Sequence, residues 1–92
     1  MKPEELFKQV ERVNSREPFL EFVRNLERDF ELSREEGRRN PSQSEPAARG
    51  WYAATISDFL ESMRAWATDN RIPEQASWQL FAEMLHNGKL YE

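Results

Sequence analysis

Phe19-Leu20-Glu21-Phe22-Val23-Arg24-Asn25-Leu26-Glu27-Arg28-Asp29-Phe30 is the stretch that decides the fold of this chain. Phe19, Phe22, Val23, Leu26 and Phe30 recur at i, i+3, i+4, i+7 and i+11, the spacing of one face of an α-helix. Glu21, Arg24, Asn25 and Arg28 fall on the opposite, solvated face, within i, i+3 and i+4 reach of one another. Ser15 suits an N-cap, and Glu17 and Pro18 suit the first turn that follows. The spacing predicts a helix from Ser15 to about Glu36, with Gly37 just beyond its end.

Ahead of it, Pro3, Glu4 and Glu5 favour a helix start. Leu6, Val10 and Val13 then give a short apolar stripe, with Phe7 beside it, on a helix ending near Asn14. Residues 37–50 hold two prolines, two glycines and two serines. They break any period and read as a long loop, a class that tends to be functional or disordered. Beyond it Thr55 can cap a third helix, with Asp58 close to a capping-box position. Its stripe is Ile56, Phe59, Leu60, Met63 and Ala67, widened by Trp66, and it ends over Asn70–Pro73. Ser77 can cap a fourth, with Trp78, Phe81, Ala82 and Leu85 inward and Leu80 and Met84 flanking them. More than half of this last helix is apolar, which predicts a central position. Gly88 is expected to close it, and Leu90 and Tyr91 to fold back on the core. The expected architecture is all-α: one domain over residues 1–92, a compact bundle of about four unequal helices with the long loop at 37–50. The rival is a short strand or hairpin near Trp51–Ala54 or Lys89–Tyr91.

The composition narrows the function. Ninety-two residues make one small domain, and six Phe, three Trp and two Tyr supply bulk for a core. A mean hydropathy of −0.91 is polar, but the apolar residues are periodic, which argues against disorder of the whole chain. A net charge of −4 and a pI near 5.1 make nucleic acid and anionic membrane poor partners, because phosphate binding needs concentrated positive charge. There is no cysteine, hence no disulfide and no thiolate nucleophile. The first residues lack an apolar signal segment, and no run approaches a membrane span. These features lead to the expectation of a cytoplasmic protein.

Gly50-Trp51, Thr55-Ile56-x-x-Phe59-Leu60-Glu61-x-Met63-x-x-Trp66, Pro73, Ser77-Trp78-x-Leu80-Phe81-Ala82 and Tyr91-Glu92 resemble a family of small bacterial proteins of unknown function. Ser15-Arg16-Glu17-x-Phe19-Leu20-x-Phe22-Val23 resembles the first part of the same pattern. Such proteins carry acidic and asparagine residues after the first tryptophan, where this chain has Tyr52 and Ala53. The resemblance implies no activity, cofactor or catalytic residue.

The residues point to no reaction centre either. Glu83-x-x-His86 places a carboxylate and an imidazole on one helix face, but a di-iron bundle needs two such pairs, and the chain has one histidine. His86 is expected instead to meet the negative helix end as a cation. The serines fit caps or loop, with no nucleophile elbow and no glycine-rich phosphate cradle. No catalytic, cofactor-binding or metal residue is expected, and no enzymatic activity. Arg34, Arg38, Arg39 and Arg49 bracket the loop and make it a positive island, either solvated or able to grip an acidic partner. Trp51, next to Arg49, is expected to plug the bundle and Tyr52 to be exposed. Arg38, Arg39, Arg49, Trp51 and Tyr52 are the candidate partner-binding residues. Trp66 and Trp78 are expected in the core.

Two functional readings follow. One is a protein–protein interaction module (an adaptor, inhibitor or immunity-type protein), a monomer or weak homodimer whose partner is another protein. The other is a ligand-binding or regulatory domain with an apolar pocket lined by Trp66, Trp78 and Phe81. Leftover apolar surface on the first helix offers a route to self-association.

Overall fold

A computed structural model describes residues 2–39 and 48–91. The architecture is all-α, with α1 (Pro3–Val10), α2 (Arg16–Arg39), α3 (Ile56–Asp69) and α4 (Trp78–Leu90), and a single 3-10 turn at Ala48–Gly50 before α3. Among the described residues there is no strand. The segment 51–54 is tied to the end of α4 by one bond instead, the Tyr52 N–H donating to the Lys89 carbonyl. α4 packs against α1, α2 and α3, the central place that its composition predicts.

α1 starts at Pro3, and the Glu5 carboxylate accepts from the Lys2 backbone N–H. Its stripe of Leu6 and Val10, continued by Val13, is buried against α2 and α4. That stripe is used within the fold of the chain. Phe7 alone of that group stays largely exposed.

α2 begins directly after Ser15 and buries Phe22, Leu26, Asp29 and Ser33 along one line. It does not stop at Glu36. It runs through Gly37 to Arg39, so the expected loop loses its first three positions, and residues 40–47 of that loop lie outside the described residues. Gly37 adopts no left-handed conformation, and a Cβ there would meet nothing within 4 Å. Flanked by Glu and Arg, which are good helix formers, it weakens the helix without ending it.

The chain turns back through two successive left-handed residues, Arg49 at φ 61° and Gly50 at φ 79°. Gly50 takes this conformation at little cost. Arg49 does not, and the ion pair described below holds it there.

Thr55 caps α3 by accepting from the Asp58 N–H at 3.0 Å, as its sequence predicts. α3 nevertheless buries no residue completely. Ile56 is 80% exposed and Leu60 is exposed, while Phe59 is half-buried against the core. The helix leans on α4 and stands off α2.

Ser77 caps α4 by accepting from Leu80 N–H at 3.0 Å. Its inward line is Ala82, Leu85, His86 and Lys89, rotated from the expected stripe. Trp78 and Phe81, expected in the core, are 38% and 39% exposed. With Phe19 they form a cluster at the surface, with ring centroids 5.3–6.2 Å apart. Small Ala82, fully buried, lets α4 approach α2 closely and leaves the large rings at the margin. Trp66 is half-buried, also short of the expected core position. Gly88 does not close α4, which continues to Leu90. It is the seat of the Phe59 ring, only 2.9 Å from where a Cβ would stand.

The two helical glycines therefore make opposite predictions. Gly88→Ala should lower stability by about 1–3 kcal/mol through overpacking against Phe59. Gly37→Ala should raise it by up to about 1 kcal/mol through helix propensity. Urea denaturation of both variants checks the signs, and equal shifts would contradict the placement of Phe59.

Candidate functional site

The polar centre of the molecule is Asp29, 3% exposed on the inner line of α2. Its Oδ1 accepts from Arg49 Nε at 2.6 Å. Its Oδ2 accepts from Trp51 Nε1 at 2.7 Å and from Lys89 Nζ at 2.9 Å. Lys89, 2% exposed, also lies over the Trp51 ring, 5.6 Å from its centroid. Arg49 reaches Glu36 as well, at 3.7 Å. One carboxylate thus ties together α2, the returning turn and the end of α4.

Burial alone would raise the Asp29 pKa. The hydrogen bonds from Lys89, Arg49 and Trp51, together with the Lys89 charge, outweigh it and hold the carboxyl below its ordinary value. A carboxylate so engaged is a poor proton acceptor near neutrality. Its chemistry is cohesion.

His86 is buried between Phe7 and Phe22, at ring distances of 5.9 and 6.5 Å. Burial lowers its pKa, the Lys89 charge lowers it further, and Asp29 opposes them in part. It is therefore a neutral core imidazole, where sequence spacing predicts a cation at the helix end. The helix extends past it to Leu90, so His86 is not at the terminus. Glu83 is half-buried one turn earlier.

The candidate partner-binding residues separate into two sets. Arg49 and Trp51 meet at Asp29 and face inward, Trp51 being 5% exposed. Trp51 is the expected plug, with Phe30 edge-on to it at 4.9 Å and Phe59 stacked at 6.3 Å. Tyr52 is exposed, as predicted, beside a shallow hollow of about 310 Å³ bordered by Asp58, Glu61 and Tyr91. Arg38 is exposed on the last turn of α2, and the side chain of Arg39 lies outside the described residues. Arg49 is thus committed to the ion pair with Asp29, apart from the exposed Arg38.

A groove of about 460 Å³ lies between α2 and α3. Val23, Leu26 and Phe30 form the α2 wall, and Ile56 and Phe59 form the α3 wall. Leu85 and Trp51 close its depth. Glu27 and Arg34 stand on the α2 side, with the Arg34 guanidinium 5.8 Å from the centre of the Phe30 ring. Trp66, Trp78 and Phe81, the rings expected to line an apolar pocket, are not part of it. The groove exists because α3 packs mainly on α4.

Asp29 and Lys89 escape a reading that looks only for apolar residues. Both carry a usable signal: Asp29 lies three and seven residues after Leu26 and Phe22, and Lys89 lies three and seven after His86 and Ala82. Opposite charges on two inward stripes imply a buried pair.

Asp29→Asn strands Lys89 and Arg49 beside a neutral amide and should cost about 3–5 kcal/mol. A loss below about 1 kcal/mol in urea denaturation would place the pair in the exposed class instead. His86 adds a pH dependence. The unfolded chain takes up a proton near pH 6.5 while the folded one resists it. Stability is thus complete above that pH and declines as pH falls below it. The depressed Asp29 contributes stability above its ordinary value of 3.8 that is lost under stronger acid. His86→Gln should flatten the decline between about pH 7 and 5 and leave the acid limb intact. An unchanged slope over that range contradicts the burial of a neutral ring.

No curated protein and no solved structure matches the chain. A family does: residues 15–92 match the family of unknown function DUF7660, a span that runs from the N-terminal end of α2 through α4 and leaves α1 ahead of it. The chain belongs to that family.

Proposed function

We propose that this protein is an interaction module, without catalytic activity, whose groove between α2 and α3 receives an amphipathic helix of another protein. The observation that carries this reading is the groove itself, about 460 Å³ and largely apolar, with Ile56 80% exposed at its edge. An isoleucine so placed, in line with Leu26, Phe30 and Phe59, continues the core outward.

The dimensions and charges favour a helix. The α2 wall from Val23 to Arg34 spans about 16 Å, or three helical turns. Glu27 and Arg34 lie seven residues apart, on the same face and about 10 Å along the axis. A partner helix with an apolar stripe, and with one cation and one anion two turns apart, would meet both charges while filling the groove. The acidic balance of the chain and its lack of cysteine support work in the cytoplasm. No described helix is long and apolar enough to cross a membrane.

A synthetic amphipathic helix of about four turns, with leucines at i, i+4 and i+7 and a Glu and a Lys two turns apart, is the probe. Titrated into labelled protein, it should shift the Ile56, Phe59 and Trp51 resonances saturably. Ile56→Glu should abolish this with an unchanged melting temperature. Binding that survives Ile56→Glu would overturn the proposal. So would self-association at micromolar concentration by light scattering that Ile56→Glu removes, because the occupant would then be a second copy of this chain.

A further inference from the structure

A second concavity, of about 270 Å³, lies between α1 and α4, away from the groove. Phe7, Glu11, Gln79, Glu83, His86 and Asn87 border it. His86 is 6% exposed and makes no hydrogen bond among the described residues. No side-chain nitrogen or oxygen fully removed from solvent there lacks a partner. The unpartnered imidazole nitrogens therefore open onto the cleft that the ring lines, rather than into the core. A polar ring buried to this degree and unbonded by the protein presents its nitrogens to whatever occupies the cleft.

The rest of the lining specifies the ligand. The amide donors are used locally: Asn87 Nδ2 donates to the Glu83 carbonyl at 2.8 Å, and Gln79 Nε2 donates to the Glu11 carbonyl at 3.3 Å. Each amide thereby uses one of its two N–H donors and keeps its carbonyl oxygen as an acceptor. Glu11, directly after α1, and Glu83 from α4 add two carboxylates, and Phe7 adds an aromatic ring. The Lys89 charge beside His86 does not cancel this. Lys89 is bound to Asp29 at 2.9 Å, and Arg49 is bound to the other oxygen of the same carboxylate. Acceptors, negative charge and a ring together select a compact donor of positive charge.

We propose that the cleft between α1 and α4 binds a small organic cation, a primary ammonium or guanidinium group, seated between Glu11 and Glu83 and touching the His86 ring. The group is the head of a free amine or of a lysine or arginine side chain on another molecule. The site is independent of the groove between α2 and α3, and its wall from α1 and Glu11 precedes the residues matched by the family.

The test is an NMR titration of the His86 ring signals in the full chain at fixed ionic strength, with butylammonium, butylguanidinium, neutral butanol and Nα-acetyl-lysine amide as probes. A few heavy atoms with one charge set an expected Kd of about 1 mM. The two cations should give saturable shifts and butanol none. Glu11→Gln and Glu83→Gln should each weaken binding about five-fold, the loss of one partly exposed charge contact, with melting unchanged. Equal binding of acetyl-lysine amide assigns the site to a side chain, and binding at least ten-fold weaker than butylammonium assigns it to a free amine. No saturable shift, an equal response to butanol, or cation binding unaffected by both glutamine variants overturns the proposal.

Discussion

The buried carboxylate of Asp29 is the constraint on which the rest of the molecule depends. It gathers three donors, Arg49, Trp51 and Lys89, from segments 20, 22 and 60 residues away. Removing such charges from water is costly, and only complete bonding offsets that cost. Here no fully buried side-chain nitrogen or oxygen among the described residues is left without a partner. The cluster joins the returning chain, Trp51 and Lys89 to α2, and its ion pair holds Arg49 in a left-handed conformation that an arginine does not favour.

The groove follows from that placement. Trp51, held by its indole N–H, turns one edge to Phe30 and stacks on Phe59. It thereby sets how far the start of α3 stands from α2. α3 is then carried by α4, through contacts such as the Phe59 ring on Gly88, and not by α2. A gap opens between the two walls, with apolar residues on both. The same polar cluster that secures the core keeps Arg49 largely out of solvent.

Much of the fold is legible in the residues because local rules decide it. The caps at Thr55 and Ser77, the long stripe from Phe19 to Phe30 and the burial of Leu6, Val10 and Val13 are near-neighbour effects. The parts that are not legible depend on distant partners. Gly37 and Gly88 read as helix ends, yet no turn demands a left-handed residue at either place, and a ring from α3 explains the second. Trp78 and Phe81 read as core because hydropathy ranks them first. Tertiary packing gives the inner line to small Ala82 and to His86 and Lys89, whose polar groups find partners or a cleft. The groove lies at other rings than the expected Trp66, Trp78 and Phe81 for the same reason. Its location depends on which helices fail to touch, and periodicity within one helix carries no information about that.

The central claim, that Asp29 grips the Trp51 indole in a dry interior, is tested most directly by hydrogen exchange at the three tryptophan side-chain N–H groups. Trp51 should exchange slowest, with a protection that tracks global unfolding in urea, while the half-buried Trp66 and the exposed Trp78 exchange rapidly. Exchange at Trp51 as fast as at the other two would show that the carboxylate does not hold it, and the account of the groove would fall with it.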